Sequence, residues 1–137
     1  MTSAFFDTNI VVYAEDASVP EKQQRAIELI ADHLRHRAAI FSLQVLQEYF
    51  VAATRKLGLA PELAQAKVEL LARAHIVQFS PADVISAIEL HRLVRISFWD
   101  ALIVHAARLA KAAVLYSEDL QPGAILAGVR VVNPFQK

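Results

Sequence analysis

Four short apolar runs punctuate this chain: Ala4-Phe5-Phe6, Ala38-Ala39-Ile40-Phe41, Ile76-Val77-Gln78-Phe79 and Val114-Leu115-Tyr116. Each is too short for a helix and shows little polar alternation, the pattern of strands buried on both faces. The stretches between them carry apolar residues three and four positions apart, as helices do. Parallel strands need crossovers of that length, so the alternation predicts an α/β fold. The expected centre is a mainly parallel β-sheet of four to five strands flanked by helices, with Val129-Arg130-Val131-Val132 as the fifth strand.

Cap residues and punctuation place the helices. Asp7-Thr8-Asn9 stops the first strand and leads into a short helix, Ile10 to Ala14. Pro20 and Glu21 open a helix running to Arg37 in which Ala26, Ile27, Ile30 and Leu34 share a face. Ser42 is placed to cap a helix from Leu43 to about Leu57, closed by Gly58, and Pro61 begins another to about Ala74. Ser80-Pro81-Ala82-Asp83 combines a cap, a proline at the first helical position and an early acid, and predicts a helix to Val94. Ser97 caps the next, through Phe98-Trp99-Asp100 to Lys111. A Pro122-Gly123 turn follows the fourth strand.

The length of 137 residues and an apolar content of 55% suit one domain, residues 1–137, that buries its core without disulfides. The absence of cysteine excludes a thiolate zinc site and a cysteine nucleophile. No apolar run reaches the roughly 18 residues of a membrane span, and the first residues lack a basic leader pattern, so a cytoplasmic, membrane-free protein is expected. Lysine plus arginine equals aspartate plus glutamate at 14 each, which excludes a strongly basic nucleic-acid binder. Any grip on a polyanion has to be local. Arg35-His36-Arg37, Arg55-Lys56, Arg92 with Arg95, and Arg108 with Lys111 are the candidates, each also readable as a solvated helix end.

The chemistry lies in the acids. Asp7 and Asp119 directly follow strands, while Glu48 and Asp100 fall in early helical turns. In a parallel sheet those positions gather on the rim outside the carboxyl ends of the strands, where α/β sites lie. Singly, each acid has a plain structural reading as cap, dipole partner, helix former or turn residue. Together, carboxylates on one rim repel by roughly 4 kcal/mol per close pair, which shifted protonation or a bound cation relieves. Oxygen-only donors favour Mg²⁺ or Mn²⁺, and such ions activate water against a phosphodiester. Glu118 beside Asp119 leaves open which of the two faces inward.

The segments Phe5-Phe6-Asp7-Thr8-Asn9, Gln47-Glu48-Tyr49, Ser97-Phe98-Trp99-Asp100-Ala101, Tyr116-Ser117-Glu118-Asp119-Leu120 and Val131-Val132-Asn133-Pro134-Phe135 resemble, in order, those of PIN-domain nucleases, and more narrowly VapC toxins of toxin-antitoxin systems. The resemblance implies that Asp7, Glu48, Asp100 and Asp119 are catalytic and metal-binding, that Asn9 and Ser117 support them, and that Glu118 stands in support or as an outer ligand. It implies a Mg²⁺- or Mn²⁺-dependent endoribonuclease, an RNA substrate, a homodimer and an inhibitory antitoxin. A PIN nuclease without an antitoxin is the nearest alternative. A phosphatase of the haloacid dehalogenase kind, with Asp7 as nucleophile, is disfavoured because the second acid of that motif is replaced by Asn9. A non-catalytic binding module is the third reading.

Other residues carry expectations too. His105, five residues past Asp100 and so on the other side of the helix, reads as structural. Asp83 reads as a helix-start acid. Phe98 and Trp99 read as core anchors, with base stacking the alternative. Arg108 and Lys111 are the RNA-contact candidates on the Asp100 helix.

Overall fold

The computed structural model describes residues 1–136. Its elements run β1 (Ala4–Phe6), α1 (Thr8–Tyr13), α2 (Pro20–Arg35), β2 (Ala39–Ser42), α3 (Leu43–Val51), α4 (Pro61–Leu71), β3 (His75–Val77), α5 (Pro81–Val94), α6 (Phe98–Leu109), β4 (Val114–Tyr116), β5 (Ile125–Leu126) and β6 (Val129–Val132). The strands form one six-stranded sheet in the order β3-β2-β1-β4-β6-β5, parallel throughout except for β5 against β6. This is the expected mainly parallel α/β sheet with one added antiparallel edge strand.

The central strands are buried because both faces are covered. Phe5, Phe6, Phe41, Leu115 and Val131 are completely enclosed. Each such side chain contributes roughly 1.5–3 kcal/mol of burial. The Phe6 ring packs on Phe41 at 5.6 Å, Tyr116 at 5.4 Å and the buried His33 at 5.3 Å, tying β1 to both neighbours and to α2.

Several boundaries differ from expectation for stated reasons. The α2 and α6 helices stop at Arg35 and Leu109 because Arg37 and Lys111 adopt left-handed backbone, φ 54° and 56°, turning the chain into β2 and β4. That position usually holds glycine. The helix expected from Leu43 to Leu57 is α-helical only to Val51; Ala52–Lys56 is π-helical, closed by a Leu57 N–H to Ala52 carbonyl bond of 3.2 Å. Gly58 then turns the chain with φ 69°. The unexpected strand β5 returns into β6 through Ala127 and Gly128, both at positive φ, the backbone of a two-residue hairpin turn. Alanine at its first position concealed it.

The caps form as expected. Ser42 Oγ accepts from Val45 N–H at 3.3 Å, Ser97 Oγ from Asp100 N–H at 3.0 Å, and Ser80 with Asp83 makes a reciprocal capping box. His105 is buried and structural. Its Nδ1 accepts from Arg108 Nη2 at 2.7 Å, which leaves Nε2 to donate to Asp83 at 3.1 Å and join α6 to α5. Arg108, expected as an RNA contact, is thereby engaged beside His105.

Candidate active site

The order in which strands are added to the sheet reverses at β1. The order runs outward through β2 to β3 on one side, then resumes at β4 on the other. That is the switch point of an open parallel sheet, where the loops after adjacent strands splay apart and leave a crevice. A cleft of about 740 Å³ opens there, and Asp7, Glu48, Asp100 and Asp119 all line it, with Asn9 and Glu118.

Asp7 is the centre. Extended backbone at Asp7 (ψ 156°) ends β1 and starts α1, so its carboxylate caps the helix from Thr8 N–H at 2.7 Å. Its other oxygen accepts from Ser117 Oγ at 2.8 Å across the β1–β4 gap. The capping and site readings of Asp7 are therefore compatible. Ser117, fully buried, also accepts from Asp119 N–H at 3.2 Å and so shapes the loop that carries the second acid.

Glu48 is one α-helical turn and a half into α3. Its Oε1 accepts from Thr8 Oγ1 at 2.6 Å, which joins it to the residue beside Asp7. Asp100 sits in the first turn of α6, brought to the cleft by the Ser97 cap.

Electrostatics show that the acids sense one another. Burial first, then the negative charges of Asp100 and Asp119, push the Asp7 carboxyl up to about 6, against the hydrogen bonds from Ser117 and Thr8. Asp100 is raised by burial and by Asp119 and Glu48, with Ser97 opposing. Among the described residues, no three of the His, Asp and Glu side chains stand close enough to enclose one ion as they lie. The donor set nevertheless suits a hard cation, being wholly carboxylate and partly forced toward protonation by its own repulsion.

Glu118 and Asp119 both line the cleft and differ in their partners. Glu118 is held by Lys22 Nζ at 2.5 Å and the Tyr13 hydroxyl at 2.7 Å, and these bonds outweigh its burial and lower its pKa. Lys22 in turn lies over the Tyr13 and Phe135 rings. Asp119 has no such partner among the described residues. Asn9 accepts from Glu118 N–H at 3.5 Å, while its Nδ2 is a buried nitrogen without a partner.

Trp99 corrects an expectation. It is 63% exposed and lines the cleft rather than anchoring the core, because Ser97 starts α6 at the rim. Thr8, Tyr13, Lys22 and Gln44, whose amide lies 3.5 Å from Glu48, were not singled out by the sequence. Thr8 was legible only as a capping residue, and the Tyr13–Lys22 pairing with Glu118 spans about a hundred residues with no local signal.

An acid-lined cleft at the switch point of a parallel α/β sheet lies where such folds bind their ligands. A model of the PIN domain matches residues 4–122, and the chain belongs to the PIN domain family. No curated protein matches it in sequence. Its fold is similar to that of a toxin-antitoxin complex from Klebsiella pneumoniae, at 21% identity and TM-score 0.70 over 98% of this chain and 100% of the other. It is also similar to VapC20 of Mycobacterium tuberculosis, a sarcin-ricin loop cleaving toxin, at 24% identity and TM-score 0.68 over 85% and 90%. A third likeness is to DNA-bound VapBC from Salmonella typhimurium, at 20% identity and TM-score 0.67 over 96% and 97%.

Proposed function

We propose that the protein is a Mg²⁺- or Mn²⁺-dependent endoribonuclease that acts as the toxin of a VapBC-type pair. The observation that carries the reading is the coupling of Asp7, Asp100, Asp119 and Glu48 in one cleft, with Asp7 pushed up to about 6. Carboxylates placed at that electrostatic cost and left without cationic side chains of their own suit a divalent ion. Asp7, Glu48, Asp100 and Asp119 are the residues that would hold it. When bound, such an ion supplies an activated water and charge stabilisation for phosphodiester hydrolysis.

The chain's own residues do the rest. Ser117 and Thr8 N–H orient Asp7, Thr8 Oγ1 orients Glu48, and Lys22 with Tyr13 draws Glu118 aside so that Asp119 is the free acid of the pair. Exposed apolar side chains support the partners of this reading. Phe50, Val51, Leu63 and Leu70 on the α3–α4 side and Ile85, Ile88 and Leu93 on α5 are exposed apolar side chains, the kind of surface that an antitoxin and a second copy of the chain would cover. Among the described residues no helix is long and apolar enough to cross a membrane.

The test is cleavage of single-stranded RNA with and without Mg²⁺. Asp7→Asn should abolish the Mg²⁺-dependent cutting while circular dichroism stays that of the parent. Equal cleavage by the variant removes the site assignment. A small neighbouring reading frame whose product binds this protein and blocks cleavage supports the toxin role; its absence leaves a nuclease without an antitoxin.

A further inference from the structure

The cleft that this reading fills with RNA is lined by six carboxylates, Asp7, Asp16, Glu48, Asp100, Glu118 and Asp119, and by one cation, Lys56. A polyanion entering such a groove is repelled unless a positive group stands among the acids. Lys22, at the rim, is already neutralised by Glu118. Lys56 is exposed and makes no ion pair among the described residues.

The π-helical turn changes its phase relative to Glu48. Lys56 follows Glu48 by eight positions, which on an uninterrupted α-helix puts it about 80° round from Glu48. Over Ala52–Lys56 the bonding is of the wider i→i+5 kind, turning the chain roughly 80° rather than 100° per residue, so that Lys56 returns to nearly the same face as Glu48. Glu48, Val51, Ala52, Lys56 and Leu57 line the cleft, and Arg55 does not. Single-turn π segments in helices are common at functional sites. The partnerless Asn9 Nδ2 in the same cleft is a second donor left for an oxygen acceptor.

We propose that Lys56, set in phase with Glu48 by the π-helical turn, binds a backbone phosphate of the RNA in the cleft. This substrate-binding role rests on the nuclease reading. Arg55, one residue away and outside the cleft, is its built-in control.

Steady-state cleavage of a fluorescein-labelled single-stranded RNA in Mg²⁺, with anisotropy of the same RNA in EDTA, tests it. Lys56→Met should raise KM and Kd about tenfold, the scale of one charge-assisted bond, with kcat within about twofold. The slope of log affinity against log salt should shrink by about 0.7, as for one lost phosphate contact on a single strand. Lys56→Arg should restore most of the loss, and Arg55→Met should behave as the parent. A folded Lys56→Met with parental KM and salt slope overturns the proposal and leaves the nuclease intact, as does an equal loss in Arg55→Met. A parent that neither binds nor cuts RNA overturns both.

Discussion

At the scale of single residues, Asp7 joins two roles through one carboxylate. As a cap it satisfies Thr8 N–H, and in the cleft it takes the Ser117 hydroxyl and the repulsion of Asp100 and Asp119. Burial first, with that repulsion added, outweighs the two hydrogen bonds, so its proton affinity differs between folded and unfolded chain, about 6 against an ordinary 3.8. Because the folded value is the higher, the folded form binds the proton more tightly. Its stabilising contribution is complete below the ordinary value and is lost as pH rises through 6. Metal-free protein should therefore lose stability between about pH 4 and 6, by up to about 3 kcal/mol, in urea unfolding. Asp7→Asn should flatten that dependence and be the more stable protein at pH 8. An unchanged slope in the variant would place the titrating group elsewhere. The acid itself was legible in the sequence, at a strand's carboxyl end. Its hydrogen bond to Ser117, 110 positions away, was not.

At the scale of elements, the ends of helices show where local signals run out. Ser42, Ser80 and Ser97 cap as their sequence context indicates, since a cap is satisfied within three residues. The C-terminal ends at Arg37 and Lys111 carry no glycine, so nothing local announces the left-handed turn that the sheet imposes. That turn is strained in a residue with a Cβ. Lys111→Gly should raise stability by about 0.5–1 kcal/mol, read by chemical denaturation, the relieved strain exceeding the lost entropy and the weak dipole contact of an exposed lysine. The π-helical turn is a similar case. Ala52–Lys56 has the composition of ordinary helix, and no local period announces its wider turn. Its functional consequence, the phase of Lys56 relative to Glu48, was invisible to a period of 3.6.

For the whole molecule, the arrangement of the acids predicts that metal stabilises the fold. A ligand that binds only the folded chain adds stability in proportion to the logarithm of its excess over Kd. Tenfold excess of Mg²⁺ should raise Tm by about 4 °C for a chain of this size, and raise that of Asp7→Asn far less. No change in the parent would mean that the acids do not share an ion. The sequence by itself determined the α/β class, most strand and helix positions, the caps, and the four acids with the region each occupies, because hydrophobic period and capping act over a few residues. Tertiary structure alone decided the strand order that brings β1 beside β4, the reach of Ser117 to Asp7, and the retirement of Glu118 to Lys22. It also put Trp99 at the rim and Lys56 in the cleft. These rest on contacts between segments far apart in the chain, where distance is set by the packing of the sheet and its helices and no local pattern carries it.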